Sequence, residues 1–152
     1  MIERVLTVCI GNICRSPAAQ ALLAHRLPGL AVSSAGLQAL DGQGIDPPIL
    51  ALLNAAGVGA ADHRARTLSA WMLTQSSLVL VMDSRQKADI ERQHPAARGR
   101  VFRLGEPMGI DIADPYRKDQ ASIERIYAQI DECVRLWSTR IEALGYNAVQ
   151  TA

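Results

Sequence analysis

VCIGNICRSP, the stretch Val8-Cys9-Ile10-Gly11-Asn12-Ile13-Cys14-Arg15-Ser16-Pro17, follows at once on the apolar run Val5-Leu6-Thr7-Val8. Arg4 to Cys9 is short and almost wholly apolar, the pattern of a strand buried on both faces in a parallel sheet. Ser16-Pro17 reads as a helix start, with Ser16 at the N-cap and Pro17 at the first helical position. A buried strand, a short loop and a helix in that order open a strand–helix–strand unit. In an open sheet of such units, ligands bind beyond the carboxyl ends of the strands, where the loop from Cys9 to Ser16 falls.

Outward from this loop the pattern repeats. The helix runs through Ala18-Ala19-Gln20-Ala21-Leu22-Leu23 towards Leu27, and Pro28-Gly29 stops it. Leu30 to Ala35 reads as a second strand, and Gly36 to Asp46, with three glycines, as an exposed loop. Pro47-Pro48 opens a helix that ends at Ala56-Gly57. Ser76 to Met82, SSLVLVM, is the clearest buried strand, and a polar helix from Ser84 to His94 follows it. Val101 to Leu104 gives a fourth strand and Gly105 to Lys118 a long loop. In the last helix Ile123, Ile126, Tyr127, Ile130, Val134, Trp137, Ile141 and Leu144 step by threes and fours into one buried stripe. Strands alternating with helices predict an α/β fold, an open four-stranded parallel sheet with helices on both faces. No internal repeat, low-complexity tract or linker interrupts it, so residues 1–152 read as one domain.

The bulk numbers narrow the function classes. A chain of 152 residues has room for one domain with a proper core. Lysine and arginine total 16 against 15 acidic residues, a net charge of +1, which gives no reason to expect nucleic acid or a membrane surface as partner. Apolar residues make up 49%, a globular rather than a disordered composition. No run approaches the ~18 apolar residues of a membrane span. Met1-Ile2-Glu3-Arg4-Val5 leads straight into a strand, without the basic region and apolar core of a signal peptide. The three cysteines are odd in number and spaced unlike a secreted disulfide framework. A reduced cytoplasmic compartment is the expected location.

The opening loop carries chemistry. Backbone N–H groups along Ile10-Gly11-Asn12-Ile13-Cys14 point inward, and the following helix adds partial positive charge from its macrodipole. Gly11 allows a tight turn, and Asn12 tolerates positive φ. Arg15 offers a planar fork for two oxygens of a phosphate. Such a cradle favours the thiolate of a cysteine. Cys9 would then lie beneath the phosphorus of a bound phosphate monoester and attack it in line, with Ser16 donating a hydrogen bond to the sulfur. The product is a phosphocysteine that water must remove. A proton donor for the leaving oxygen is available in Asp114-Pro115-Tyr116-Arg117, in the long loop that also opens at the carboxyl edge of the sheet. Asp114 serves first as acid, then as base for the water. Tyr116 can wall a slot for an aromatic ring.

Simpler roles suit other residues. Cys9 and Cys14 lack a second ligand pair at zinc spacing, so no metal is called for. The loop lacks the GK[ST] of a Walker phosphate loop. Cys133, Trp71, Trp137 and Met82 read as core. By its own surroundings in DHRAR, His63 is a loop histidine without a role.

With Cys9-x5-Arg15-Ser16 near one end and Asp114-Pro115-Tyr116 near the other, the chain resembles the low-molecular-weight protein tyrosine phosphatase family from Val5 to about Leu144. The resemblance assigns the nucleophile to Cys9, transition-state binding to Arg15 and general acid/base duty to Asp114. It matches Asn12 to the family's left-handed loop residue and His63 to a histidine that braces it. Ser33 or Ser34, in SSAG, matches a serine behind the loop. Asp83, in VMD, matches a carboxylate near the site, though it reads equally as the cap of the polar helix. The resemblance further implies a phosphotyrosine protein as substrate, inhibition by phosphate-like oxyanions, and no cofactor. Ser34 to Leu40 resembles the bacterial members linked to exopolysaccharide production, which act on autophosphorylated bacterial tyrosine kinases. Eukaryotic members place an aromatic residue in this loop as the second wall of the slot. Here Leu37 or Leu40 stands in its place.

Two rivals remain. An arsenate reductase on the same fold needs further cysteines to relay a disulfide, and Asp83 to His94, DSRQKADIERQH, contains none. A phosphate- or phosphopeptide-binding module would need no proton donor, so Asp114 argues against it. Cys14, sharing the loop with Cys9, is a candidate partner for an oxidised Cys9 in a reversible disulfide.

Overall fold

The computed structural model describes residues 1–149. Strand β1 (Arg4–Cys9), helix α1 (Arg15–Arg26), strand β2 (Ala31–Gly36) and helix α2 (Pro47–Ala55) come first. Helix α3 (Ala70–Gln75), strand β3 (Leu78–Val81), helix α4 (Ser84–Gln93), strand β4 (Val101–Arg103) and helix α5 (Gln120–Leu144) complete the fold. Single 3-10 turns lie at Pro95–Ala97 and Glu106–Met108.

The four strands form one sheet in the order β2-β1-β3-β4. All neighbours are parallel, with Thr7 opposite Ser34 on one side and Leu80 on the other. Strand side chains alternate between the faces. Val5, Leu78 and Leu80 join a core with Leu22 and Leu23 of α1, Ile49 and Leu53 of α2, and the Ile123–Ile141 stripe of α5. Leu6, Val8, Val79 and Val81 pack on the other side against Leu73 of α3 and Ile90 of α4. Helices therefore cover both faces, as the near-continuous apolar strands require. Burying a leucine or isoleucine fully contributes about 1.5–3 kcal/mol. Within the main core the Trp137 indole donates to the Leu104 carbonyl at 2.8 Å.

Several sequence expectations need correction. Helix α1 begins at Arg15 with Cys14 at the N-cap, so Ser16 is not the cap and Pro17 is not the first helical residue. Proline is tolerated there because the first-turn N–H groups have no intrahelical partner anyway. The short helix α3 was not expected; at 6 residues it is too brief to display a period. Trp71, read as core, lies on its outer side and is 55% exposed. Leu144 ends the α5 stripe at 65% exposed, because it is the helix's last residue and has run past the sheet. Cys133, Met82 and Trp137 are buried.

Candidate active site

Beyond the carboxyl end of β1 the chain curls from Cys9 to Cys14 and enters α1. Cys9 is buried, and its Sγ lies 2.9 Å from Ser16 Oγ and receives the Asn12 backbone N–H at 3.2 Å. The Ser16 hydroxyl can serve as a donor to the sulfur. Its Oγ already accepts from Asn12 Nδ2 at 2.7 Å, so the hydroxyl hydrogen is free to point at the sulfur. The sulfur thus lies within reach of two donors, the Asn12 N–H and the Ser16 hydroxyl.

Asn12 organises the loop. It adopts φ +59°, the left-handed region expected of it. Its Nδ2 also donates to Ser34 Oγ at 3.0 Å, its Oδ1 accepts from Arg66 N at 3.0 Å, and its backbone carbonyl faces His63 Nε2 at 2.7 Å. Burial depresses the pKa of His63 below its usual 6.5, so the ring is neutral at neutral pH, with Nε2 carrying the hydrogen donated to that carbonyl. Of the two serines in SSAG, Ser34 supplies the hydroxyl behind the loop, and it passes its own hydrogen to Gln20 Oε1 at 2.6 Å. Ser33 contributes a carbonyl, which accepts from Thr7 Oγ1 at 3.4 Å.

Arg15 is only 5% exposed. Its Nη1 donates to the Ile112 carbonyl at 2.9 Å and stands 3.9 Å from Asp83 Oδ2. Asp83 fills both of the roles open to it, since its Oδ1 also accepts from Gln86 N at 2.8 Å as the cap of α4. The guanidinium is thus anchored from behind while it lines a slot of about 190 Å³.

That slot also takes in Cys9, Ile10, Gly11, Asn12, Ile13 and Cys14 from the loop. Asp114 and Tyr116 line it from the long loop after β4. Asp114 is exposed, and its Oδ1 accepts the Tyr116 backbone N–H at 3.1 Å. Leu40 and Gln38 close the opposite wall. Leu37 does not reach the slot; it packs against the core layer under α3 and α4. The Arg117 guanidinium lies 5.0 Å over the Tyr116 ring, and Arg117 itself holds φ +59°.

Cys14 is buried, and its thiol donates to Asp46 Oδ2 at 3.7 Å. Burial, then the Asp46 carboxylate, push its pKa up, so it stays a thiol. Burial raises the Cys133 thiol to about 11 in the core. Among the described residues, no cluster of three or more His, Cys, Asp or Glu is placed to hold a metal ion.

Sequence reasoning missed Gln20, Gln38, Arg66 and the Ile112 carbonyl. Only Thr7 gave a signal, as a lone hydroxyl in an apolar strand; its Oγ1 donates to the Ser16 carbonyl at 2.8 Å and ties α1 to β1.

The model of low molecular weight phosphotyrosine protein phosphatases matches residues 4–147. The chain belongs to that family. It is 48% identical over 145 residues to the probable low molecular weight protein-tyrosine-phosphatase EpsP of Ralstonia nicotianae, covering 95% of this chain and 100% of that one. Among solved structures, the tyrosine phosphatase Wzb from Escherichia coli K30 in complex with sulphate superposes with a TM-score of 0.88 at 31% identity, covering 95% and 100% of the two chains. YwlE arginine phosphatase from Geobacillus stearothermophilus gives 0.87 at 31% identity over 93% and 94%. This low molecular weight protein-tyrosine-phosphatase thus has its slot on a four-stranded sheet shared by bacterial relatives. No helix among the described residues is long and apolar enough to cross a membrane.

Proposed function

We propose that the enzyme hydrolyses phosphotyrosine in proteins through a phosphocysteine on Cys9. The observation that carries this is the meeting of Cys9, Arg15 and Asp114 around one slot of about 190 Å³, although Asp114 lies far from the other two in sequence. The phosphoryl oxygens sit among the loop N–H groups and the Arg15 fork. Cys9 Sγ, as thiolate, attacks phosphorus while the phosphorus–phenol oxygen bond breaks. The leaving oxygen takes the Asp114 proton. Water then attacks the phosphocysteine, the sulfur–phosphorus bond breaks, and the Asp114 carboxylate accepts the water's proton. Charge that builds on the equatorial oxygens is met by Arg15 and the backbone donors. Asn12, Ser16, Ser34 and His63 hold the loop in shape for this, and Asp83 positions Arg15.

Tyr116 offers a ring face and Leu40 an aliphatic wall; a phenyl ring packs on both, whereas a guanidinium can stack on Tyr116, as Arg117 does, but gains nothing from Leu40. This favours phosphotyrosine over the phosphoarginine that YwlE's name indicates. All three cysteines are buried, which disfavours a disulfide relay to the surface of the arsenate reductase kind. The resemblance to EpsP and Wzb supports a bacterial tyrosine kinase as substrate, in the control of exopolysaccharide production in the cytoplasm. Sulphate in the Wzb structure supports inhibition by phosphate-like oxyanions.

The test is a trapping experiment with aryl phosphate. Wild type should yield a phosphoenzyme labelled at Cys9, and Cys9→Ser should lose turnover while still binding vanadate. Label on any other residue refutes the assignment. Faster release of phosphate from phosphoarginine than from phosphotyrosine refutes the substrate class.

A further inference from the structure

A groove of about 430 Å³ runs along α4 beside the slot. Ile10 and Gln38 belong to the lining of both hollows, so the two join at the phosphate loop. One wall of the groove is the α4 face carrying Gln86, Asp89 and Gln93, residues three and four apart on one side of the helix. Gln86 is 2% exposed. Its Oε1 accepts the Met82 backbone N–H at 2.9 Å, while its Nε2 is buried without any partner. A buried amide donor left unpaired costs free energy that a ligand carbonyl can return. Gln38 and Gln93 stand exposed along the rim, each offering a donor and an acceptor, the complement of a peptide group. Ile10 adds an apolar side chain, 37% exposed, at the junction.

A phosphotyrosine side chain occupies the slot alone. In a protein substrate the attached main chain must continue past the mouth, and the amide-lined groove opens there. We propose that this groove is the subsite for the main chain flanking the phosphotyrosine, extended along α4, with Gln86 Nε2 donating to a peptide carbonyl. The proposal rests on the tyrosine-phosphatase reading above. Asp83, Arg85 and Asp89 line the same groove, so charged side chains beside the phosphotyrosine are sensed there as well.

The test compares kcat/KM for a short phosphotyrosyl peptide with kcat/KM for free phosphotyrosine on the same preparation. Wild type should prefer the peptide. Gln86→Met and Gln93→Ala should each lower the peptide-to-phosphotyrosine ratio by about fivefold, the effect of one lost hydrogen bond. Gln86→Met also removes the acceptor for Met82 N; if it does not fold, Gln93→Ala on the exposed rim decides the matter. An unchanged ratio in Gln93→Ala, or no preference for the peptide in wild type, overturns the subsite. Wild type that hydrolyses p-nitrophenyl phosphate but neither form of phosphotyrosine overturns the parent reading instead.

Discussion

Asp114 differs from Cys9 and Arg15 in lying open to solvent, which suits the proton-transfer role proposed for it. Asp114→Ala should lower kcat by about 10²–10⁴ for aryl phosphates with poor leaving groups, and by less for good ones that depart unprotonated. A plot of log kcat against leaving-group acidity, steeper in the variant than in wild type, checks this. Cys14 makes a second residue-level prediction. If peroxide converts Cys9 to a sulfenic acid, the Cys14 thiol can attack that sulfur. Asp46 takes the Cys14 proton as the sulfur attacks and returns it to the departing hydroxide, so the sulfur–sulfur bond replaces the S–OH bond and water leaves. Activity should return in dithiothreitol after brief peroxide treatment of wild type, and Cys14→Ser should instead pass on to irreversible sulfinic acid. Equal recovery reduces Cys14 to packing. That Cys9, Arg15 and Asp114 would line one slot was legible because each is an unusual residue for its local setting. Gln20, Gln38 and Arg66 were not, because each is an ordinary polar residue and its role exists only where distant segments meet.

At the scale of elements, the phosphate loop stands on one asparagine. Asn12→Ala forfeits its side-chain hydrogen bonds and places at φ +59° a residue that tolerates the left-handed region less well than asparagine. It should cost roughly 2–4 kcal/mol in urea unfolding. Asn12→Gly restores the backbone freedom but not the bonds, so it should recover about 1–2 kcal/mol of that loss. Equal destabilisation by the two would show that the backbone conformation contributes nothing. Strands β1 and β3 and helix α5 were legible in the sequence, because burial on two faces gives a short continuous apolar run and a long buried helix an apolar stripe at helical spacing. The start of α1 was misplaced by the local signal of Ser16-Pro17. That serine is drawn instead towards Cys9 and Asn12, contacts that only the curled loop creates. Helix α3 was hidden by its brevity, and the exposure of Trp71 followed from missing it.

Across the whole molecule, the loop of residues 63–66 links the catalytic centre to global stability. The folded state lowers the His63 pKa, mainly by burial, so the unfolded chain binds its proton first as pH falls. The contribution of a neutral His63 is complete above about pH 6.5 and is lost as pH drops through that value towards the lower folded one. The ring is half-buried, which tempers the size of the effect. Melting temperature should therefore decline on acidification across this window, and the decline should be shallower in His63→Asn. Parallel curves would remove His63 from the linkage. The network around Asn12 has one more consequence, in time rather than in energy. Its carbonyl and side chain are held by His63 and Arg66, 51 and 54 positions further along the chain, and by Ser34, 22 positions away. Such partners arrive only after the intervening polypeptide has closed on itself, at an entropic cost that grows with the length closed. A nascent chain that has already paired β1 with β2 still lacks the clamp on its nucleophile loop. The clamp on this loop therefore closes only once the segment that carries His63 and Arg66 has reached it.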